Sequence, residues 1–413
     1  MSNNPALWTR IDLPLPEDDT SEIARPPYLV GGFYYSSKNS EAAPGEPTMV
    51  LTKLTPDGAA VEAFGEHGTV RIRMPSEQAS WLCFVENGDH LVCGVALRAT
   101  QHFALFRLNK TSGKLDQAFG DGGFKLEPYP KDEVVFPLHK GTSPCHETYQ
   151  EDTAGYAGSV PQFADGKLRQ AVNSGLAQFD LQGNLDKSFN STGMRRFFTW
   201  QNQPLFTLAV VARYAGEDHA GFYYCGMHRV GNKDVQAWVG ACDKNGAVVP
   251  GFAQEGVWIV NRLPGHPDIA HVSVYSAVQA HDCLYLVGNA GSGTGDSGFV
   301  LRLKLDGSVD PSFNDGQAVI FKRPEFDRTK AFAVTPHDSG ILIGCAHTFQ
   351  ANDQLPTAIV RLDANGKVDS SFGDNGWLLT PAYPESKTLL TFASGGQQII
   401  ELRGEKFLAR YPL

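Results

Sequence analysis

Residues 301–316 read Leu-Arg-Leu-Lys-Leu-Asp-Gly-Ser-Val-Asp-Pro-Ser-Phe-Asn-Asp-Gly. Leu301, Leu303 and Leu305 alternate with polar residues, the pattern of a strand with one face in a core. The strand runs into a turn at Gly307, then Val309 and Asp310, then Phe313 and a second turn at Gly316. Versions of this stretch recur, with their anchors at Phe64, Phe119, Phe189, Phe252, Phe313 and Phe372. Successive anchors stand 55, 70, 63, 61 and 59 residues apart. A recurrence on this scale signals a repeat architecture.

Between Phe313 and Phe372 lie four short apolar runs, at 318–321, 331–334, 340–344 and 358–362, separated by turn residues. No segment shows a clear helical period. Four-stranded units repeated along a chain are the blades of a β-propeller, an all-β fold. The six anchors are expected to be buried side chains that stitch strands together.

The consensus of these stretches, Arg-Leu-x-x-x-Gly-x-Val-Asp-x-Ser-Phe-Gly-x-x-Gly, resembles the delta-60 repeat family. Residues 361–376 match every marked position. Residues 302–316 match with Asn314 in place of a Gly and a closing turn one residue shorter. The unit at Phe119 has Leu115 for Val and Ala118 for Ser, and the unit at Phe252 has Val249 where Asp belongs. The resemblance covers nearly the whole chain. It implies a propeller-like repeat and no catalytic residues.

Both chain ends carry strand-like runs outside the six complete units. Residues 6–13 alternate, and residues 398–402 and 406–411 supply two more strands with no Phe turn after them. A sheet avoids an open edge only when its outer strand is paired or covered. A seventh blade built from both ends is therefore expected, in one domain spanning 1–413; six blades with a loose N-terminal tail is the alternative. The second spacing is the longest, and its excess falls at about 127–158, a polar stretch with Pro128, Pro130, Pro137 and Pro144 that reads as a loop insertion.

The 413 residues are 42% hydrophobic and 19% charged, with 43 Gly and 25 Pro, as suits a turn-rich β protein. The net charge of -10 argues against nucleic acid and against anionic membrane surfaces as partners. The N-terminal stretch lacks the basic and apolar segments of a signal peptide, and no apolar run is long enough to span a membrane. The 7 Cys form no Cys-x-x-Cys pair and read as reduced core residues of a cytoplasmic protein, with leaderless export left open.

Candidate chemistry is sparse. The turn Asp recurs at Asp116, Asp186, Asp310 and Asp369. A basic residue recurs in the preceding strand at Lys53, Arg107, Arg302, Arg361 and Arg410. The basic residues either line a channel and bind an anion or pair with their own turn Asp. Arg accompanies the Asp in three units, while units lacking the Asp have Lys53 or Ala241, which favours pairing by the bidentate guanidinium. The Phe-Gly-Asp-x-Gly turns carry too few oxygen ligands for calcium, and 291–298 lacks the Lys-Ser/Thr of a phosphate loop. No cofactor or metal is expected.

What varies among the units is the hairpin after the Gly-bearing strand: 37–47, 98–101, 173–175, 229–236, 291–298 and 348–356. Equivalent turns of a propeller fall on one face. Loops on a rigid scaffold commonly carry recognition. The candidate binding residues are His228, Lys233, Asp234, Asp296, Asn352 and Asp353, joined by His139, His146 and Glu147 of the insertion. Cys145 beside His146 has the residue types of a nucleophile and base, but neighbours in one loop seldom face each other. His228 and His347 read as surface residues, Tyr34 and Tyr35 as able to reach a rim, Trp238 and Trp258 as core. The expected function is recognition of a protein or glycan partner. The alternatives are a hydrolase working at the channel mouth and a structural part of an assembly.

Overall fold

The computed structural model describes residues 9–12, 28–41, 46–75, 80–97, 100–129, 163, 165–172, 175–196, 199–200, 203–230, 234–280, 282–291, 297–323, 325–326, 328–338, 340–348, 357–379, 388–392, 398–403 and 407–412. The chain divides into two compact units, Met1–Arg196 with Ile399–Leu413, and Phe197–Gln398.

In the first unit, sheet one is Tyr28–Val30, Phe33–Glu41, Pro47–Leu54 and Thr69–Arg73, antiparallel in chain order. Sheet two repeats the order with Ser80–Asn87, His90–Leu97, His102–Asn109 and Phe124–Pro128. Sheet three has Lys167–Val172, Gly175–Asp180 and Met194–Arg196. Its middle strand feeds the Phe189 turn, so these are the second, third and fourth strands of a unit. The residues that would supply a first strand, with most of the insertion, lie outside the described set. At the chain ends, Thr9–Asp12 pairs antiparallel with Phe407–Pro412, from Thr9 opposite Arg410 to Asp12 opposite Phe407.

The second unit opens with a short hairpin, Thr199–Trp200 with Gln203–Pro204. Sheet four follows: Phe206–Ala215, Asp218–Val230, Asp234–Asp243 and Val257–Val260. Sheet five is His271–Ala280, Cys283–Gly291, Ser297–Lys304 and Val319–Phe321. Sheet six is Arg328–His337, Gly340–Thr348, Thr357–Leu362 and Trp377–Leu379. All three are four-stranded and antiparallel in chain order. The chain is thus all-β, built of consecutive three- and four-stranded sheets.

The second strands of sheets two and five are buried on both faces. In sheet five, Leu284 and Leu286 join a core shared with sheet four, while Tyr285 and Val287 join one shared with sheet six. That double burial explains why these strands read as near-continuous apolar runs. Sheets one and two share a core around Phe64 and Phe106, and sheets two and three another around Phe119 and Phe179.

The Phe anchor works between consecutive sheets. A β-carbon added to Gly366 would lie 2.9 Å from Phe313 Cζ, one on Gly307 3.0 Å from Phe252, one on Gly183 3.0 Å from Phe119 and one on Gly113 3.2 Å from Phe64. Each of these four Phe side chains therefore closes over the turn glycine of the next repeat. Gly366 also sits at φ +85°, a conformation costly for any residue with a β-carbon. The backbone adds a second tie: the amide after the Phe donates to the carbonyl before that glycine, from Asn314 to Asn365 at 3.0 Å and from Gly65 to Ser112 at 2.9 Å.

Several expectations need correction. Phe64, Phe119, Phe189, Phe252 and Phe313 are buried, but Phe372 is half-buried. Tyr34 and Tyr35 reach no rim; both are buried, Tyr35 edge-on to Phe64 and Phe84. Trp238 is fully buried and Trp258 half-buried against the core of sheets four and five. Two hairpins are shorter than their polar sequences suggest. Ladder pairing runs to Glu41 opposite Pro47 and to Val230 opposite Asp234, leaving loops at 42–46 and 231–233.

Candidate functional site

The loops between second and third strands fall at 42–46, 98–101, 173–174, 231–233, 292–296 and 349–356. They join ladders of similar register and differ in length and chemistry. Of the candidate residues, His139, His146, Glu147, Lys233, Asp296, Asn352 and Asp353 lie outside the described residues, as does Cys145. Asp234 begins the third strand of sheet four, opposite Val230. His347 lies in the second strand of sheet six, opposite Thr329.

His228 is not a surface residue. It is 5% exposed, in the second strand of sheet four two residues after Gly226. The same place relative to the strand glycine holds Ala96 after Gly94 and Ala290 after Gly288, both buried. Burial pushes the His228 imidazole below its usual pKa. Gln236, opposite on the neighbouring strand, favours the charged ring, yet neither ring nitrogen meets a partner at hydrogen-bonding geometry among the described residues.

The hairpin end of sheets five and six carries further polar groups that the sequence reading passed over. His271, Ser273, Asn289 and Thr329 are all buried. Ser273 stands opposite Asn289 and His271 opposite Gly291. A signal was available: Asn289 directly follows the strand glycine, where sheets two, four and six place Val95, Met227 and Cys345.

At the opposite, Phe-turn end the polar groups are committed to one another. Arg302 Nε lies 2.7 Å from Asp310 Oδ2, an ion pair with both side chains nearly buried. The same guanidinium donates to Ser312 Oγ at 2.6 Å and to the Ala364 carbonyl of the next turn at 3.0 Å, and lies 4.8 Å from the Phe313 ring centre. Arg107 Nε donates to Asp116 at 2.8 Å, and Arg361 lies 2.8 Å from Asp369. Where sheet three has Gln178 instead of Arg, Gln178 donates to Asp186 at 2.9 Å and Lys167 supplies the cation at 2.6 Å. Lys53, whose unit lacks the Asp, donates to the Lys110 carbonyl at 2.7 Å. These basic groups serve turns, which removes the reason to read them as anion ligands; the Arg410 side chain lies outside the description.

Burial alone would raise the Asp310 carboxyl, but the Ser312 amide and hydroxyl, the Cys283 thiol and Arg302 outweigh it and hold the pKa below the usual value. Arg107 and the Ala118 amide do the same for Asp116. Cys83, Cys93, Cys225, Cys242 and Cys345 are buried free thiols, and Cys283 is half-buried. An open cleft of about 1110 Å³ in the first unit lies between Thr69–Arg73 and the turn at Gly113. Its Arg73 pairs with Glu46 at 3.0 Å and its His67 with Glu62 at 2.9 Å, so its charges are partly neutralised. Among the described residues no three His, Cys, Asp or Glu side chains gather as a metal site, and no helix is long and apolar enough to cross a membrane.

Residues 284–313 and 341–372 match a family model described as a domain of unknown function (DUF5122) beta-propeller. Both segments comprise the second and third strands of a sheet and its Phe turn, in sheets five and six. No curated protein matches the chain. Among solved structures, a prolyl endopeptidase aligns at 13% identity and TM-score 0.34, covering 94% of this chain and 54% of the other, so the chain spans about half the length of that protein. Drosophila Semaphorin 1b, extracellular domains 1-2, aligns at 8% identity and TM-score 0.41, covering 95% and 87%. A GH43 endo-arabinanase from Bacillus licheniformis aligns at 10% identity and TM-score 0.34, covering 81% and 93%.

Proposed function

We propose that this chain is a recognition propeller that holds a protein or glycan partner on its variable-hairpin face and performs no reaction of its own. In this reading the sheets are blades of a seven-bladed ring, with Thr9–Asp12 and the C-terminal strands sharing the last blade. One observation carries the functional proposal. Sheets four, five and six keep the same strand order, while the loops at 231–233, 292–296 and 349–356 share neither length nor chemistry. A partner without symmetry needs such differences among equivalent loops, and a rigid scaffold lowers the ordering cost of binding.

The test replaces the hairpins at 42–46, 231–233, 292–296 and 349–356 with Asn-Gly turns and compares the variant with the parent. Binding is read by pull-down from lysate of the source cells and by a glycan array, and folding by thermal melting. Loss of partners from a folded variant is expected. Retention of every partner removes this face as the site. A narrower set, Lys233, Asp234, Asp296, Asn352 and Asp353, with His139, His146 and Glu147 of the insertion, then locates the contact by single substitution.

A further inference from the structure

Asn289 and Ser273 form a pair of polar side chains where the surrounding packing is apolar. Val287 and Tyr285 pack with Ala331, Ile343 and Cys345 of sheet six. Alternation carries Asn289, two residues beyond Val287, onto the same face and one step nearer the hairpin. Ser273, its register partner, shares that face. On the facing sheet, Thr329 stands two residues before Ala331, and so at the matching end. Ser273 is 0% exposed and Asn289 3%. Neither Ser273 Oγ nor Asn289 Oδ1 has a hydrogen-bond partner among the described residues.

Buried polar atoms of folded proteins are almost always partnered, by protein or by ordered water. Bulk solvent does not reach these two. Asn289 Oδ1 requires a donor, and the Ser273 hydroxyl offers one and accepts another. The smallest group that meets both demands is a single water, donating to Asn289 Oδ1 and accepting from Ser273 Oγ–H. Its second hydrogen is left for an acceptor on the facing strand, which brings it to the roughly three bonds typical of an internal water. An ion fits poorly, because the pair is neutral and presents an acceptor and a hydroxyl.

We infer that the hairpin end of sheets five and six encloses an ordered water bridging Ser273 and Asn289, so that the layer beneath the 292–296 and 349–356 loops is hydrated rather than dry. The inference does not depend on the proposed partner surface. It is tested by a crystal structure of the full chain at a resolution that shows waters, with melting of Ser273→Ala and Asn289→Leu alongside. The expected result is an oxygen within about 3 Å of both side-chain atoms. Both substitutions then lower Tm, because each strips a partner from the bridge. If the two polar atoms were truly unpartnered, replacing either with an apolar group would raise Tm instead. Well-ordered density with no such oxygen, or a direct bond between the Ser273 and Asn289 side chains, overturns the inference whatever the melts show.

Discussion

Phe313 lays the edge of its ring on the backbone of Gly366, so closely that a β-carbon there would stand 2.9 Å from Cζ. The two belong to successive repeats, and the contact states what the repeat is for. Phe313→Ala is expected to cost about 3–5 kcal/mol, the range for a buried Phe. Gly366→Ala meets both the ring and an unfavourable φ, and is expected to exceed about 1 kcal/mol. Urea unfolding of the two single variants and the double variant checks this. Because the residues touch, the double variant should lose less than the sum. A Phe313→Ala protein that unfolds like the parent would refute the anchor.

The Arg302–Asp310 pair is nearly buried, so removing one partner strands a charge. Arg302→Ala or Asp310→Ala should each cost on the order of 3–5 kcal/mol, and a double-mutant cycle should show clear coupling. The Asp310 pKa is depressed in the folded state. Its contribution is therefore complete above the unfolded value of about 3.9 and is lost as pH falls through the lower folded value. Stability measured from pH 6 downward should fall less steeply in Asp310→Asn than in the parent over that acid range.

His228 titrates in the other window. Its folded pKa lies below the usual imidazole value because burial disfavours the charged ring. The neutral ring is compatible with the fold above the unfolded pKa of about 6.5, and stability drops as pH falls below it. His228→Ala, which restores the residue found at this place in sheets two and five, should flatten the melting-temperature profile between about pH 7 and 5. An unchanged slope would assign the pH dependence to another group.

Deleting residues 1–12 removes the strand that pairs with Phe407–Pro412. The exposed ladder edge should lower Tm and promote self-association, read by light scattering. A truncated protein that melts and scatters like the parent would return the N-terminal strand to the status of a loose tail.

The repeat was readable because its key residues are both chemically distinctive and regularly placed. Arg occurs with the turn Asp, so their pairing could be argued from co-occurrence alone. The role of the turn glycine was not readable, since its partner Phe lies a whole repeat earlier. Hairpin limits were missed for a different reason. The stretch Ser36–Glu41 looks like loop because its side chains are polar, yet a ladder is made by backbone groups and pairs it with Pro47–Thr52. His228 was read as surface on the same logic, and a polar residue in a doubly covered strand is buried whatever its preference. Ser273 and Asn289 escaped notice because each is unremarkable alone, and only the register puts them side by side.

The Phe-on-Gly contact gives sheets two and five a socket at one end, Gly113 and Gly307, and a plug at the other, Phe119 and Phe313. A fragment cut between sheets would leave a turn glycine bare at its start and a Phe uncovered at its finish. Those two surfaces are complementary but different, so copies of the fragment would join head to tail and, without a rotation that closes, keep adding. Excised pieces of this chain are therefore expected to polymerise.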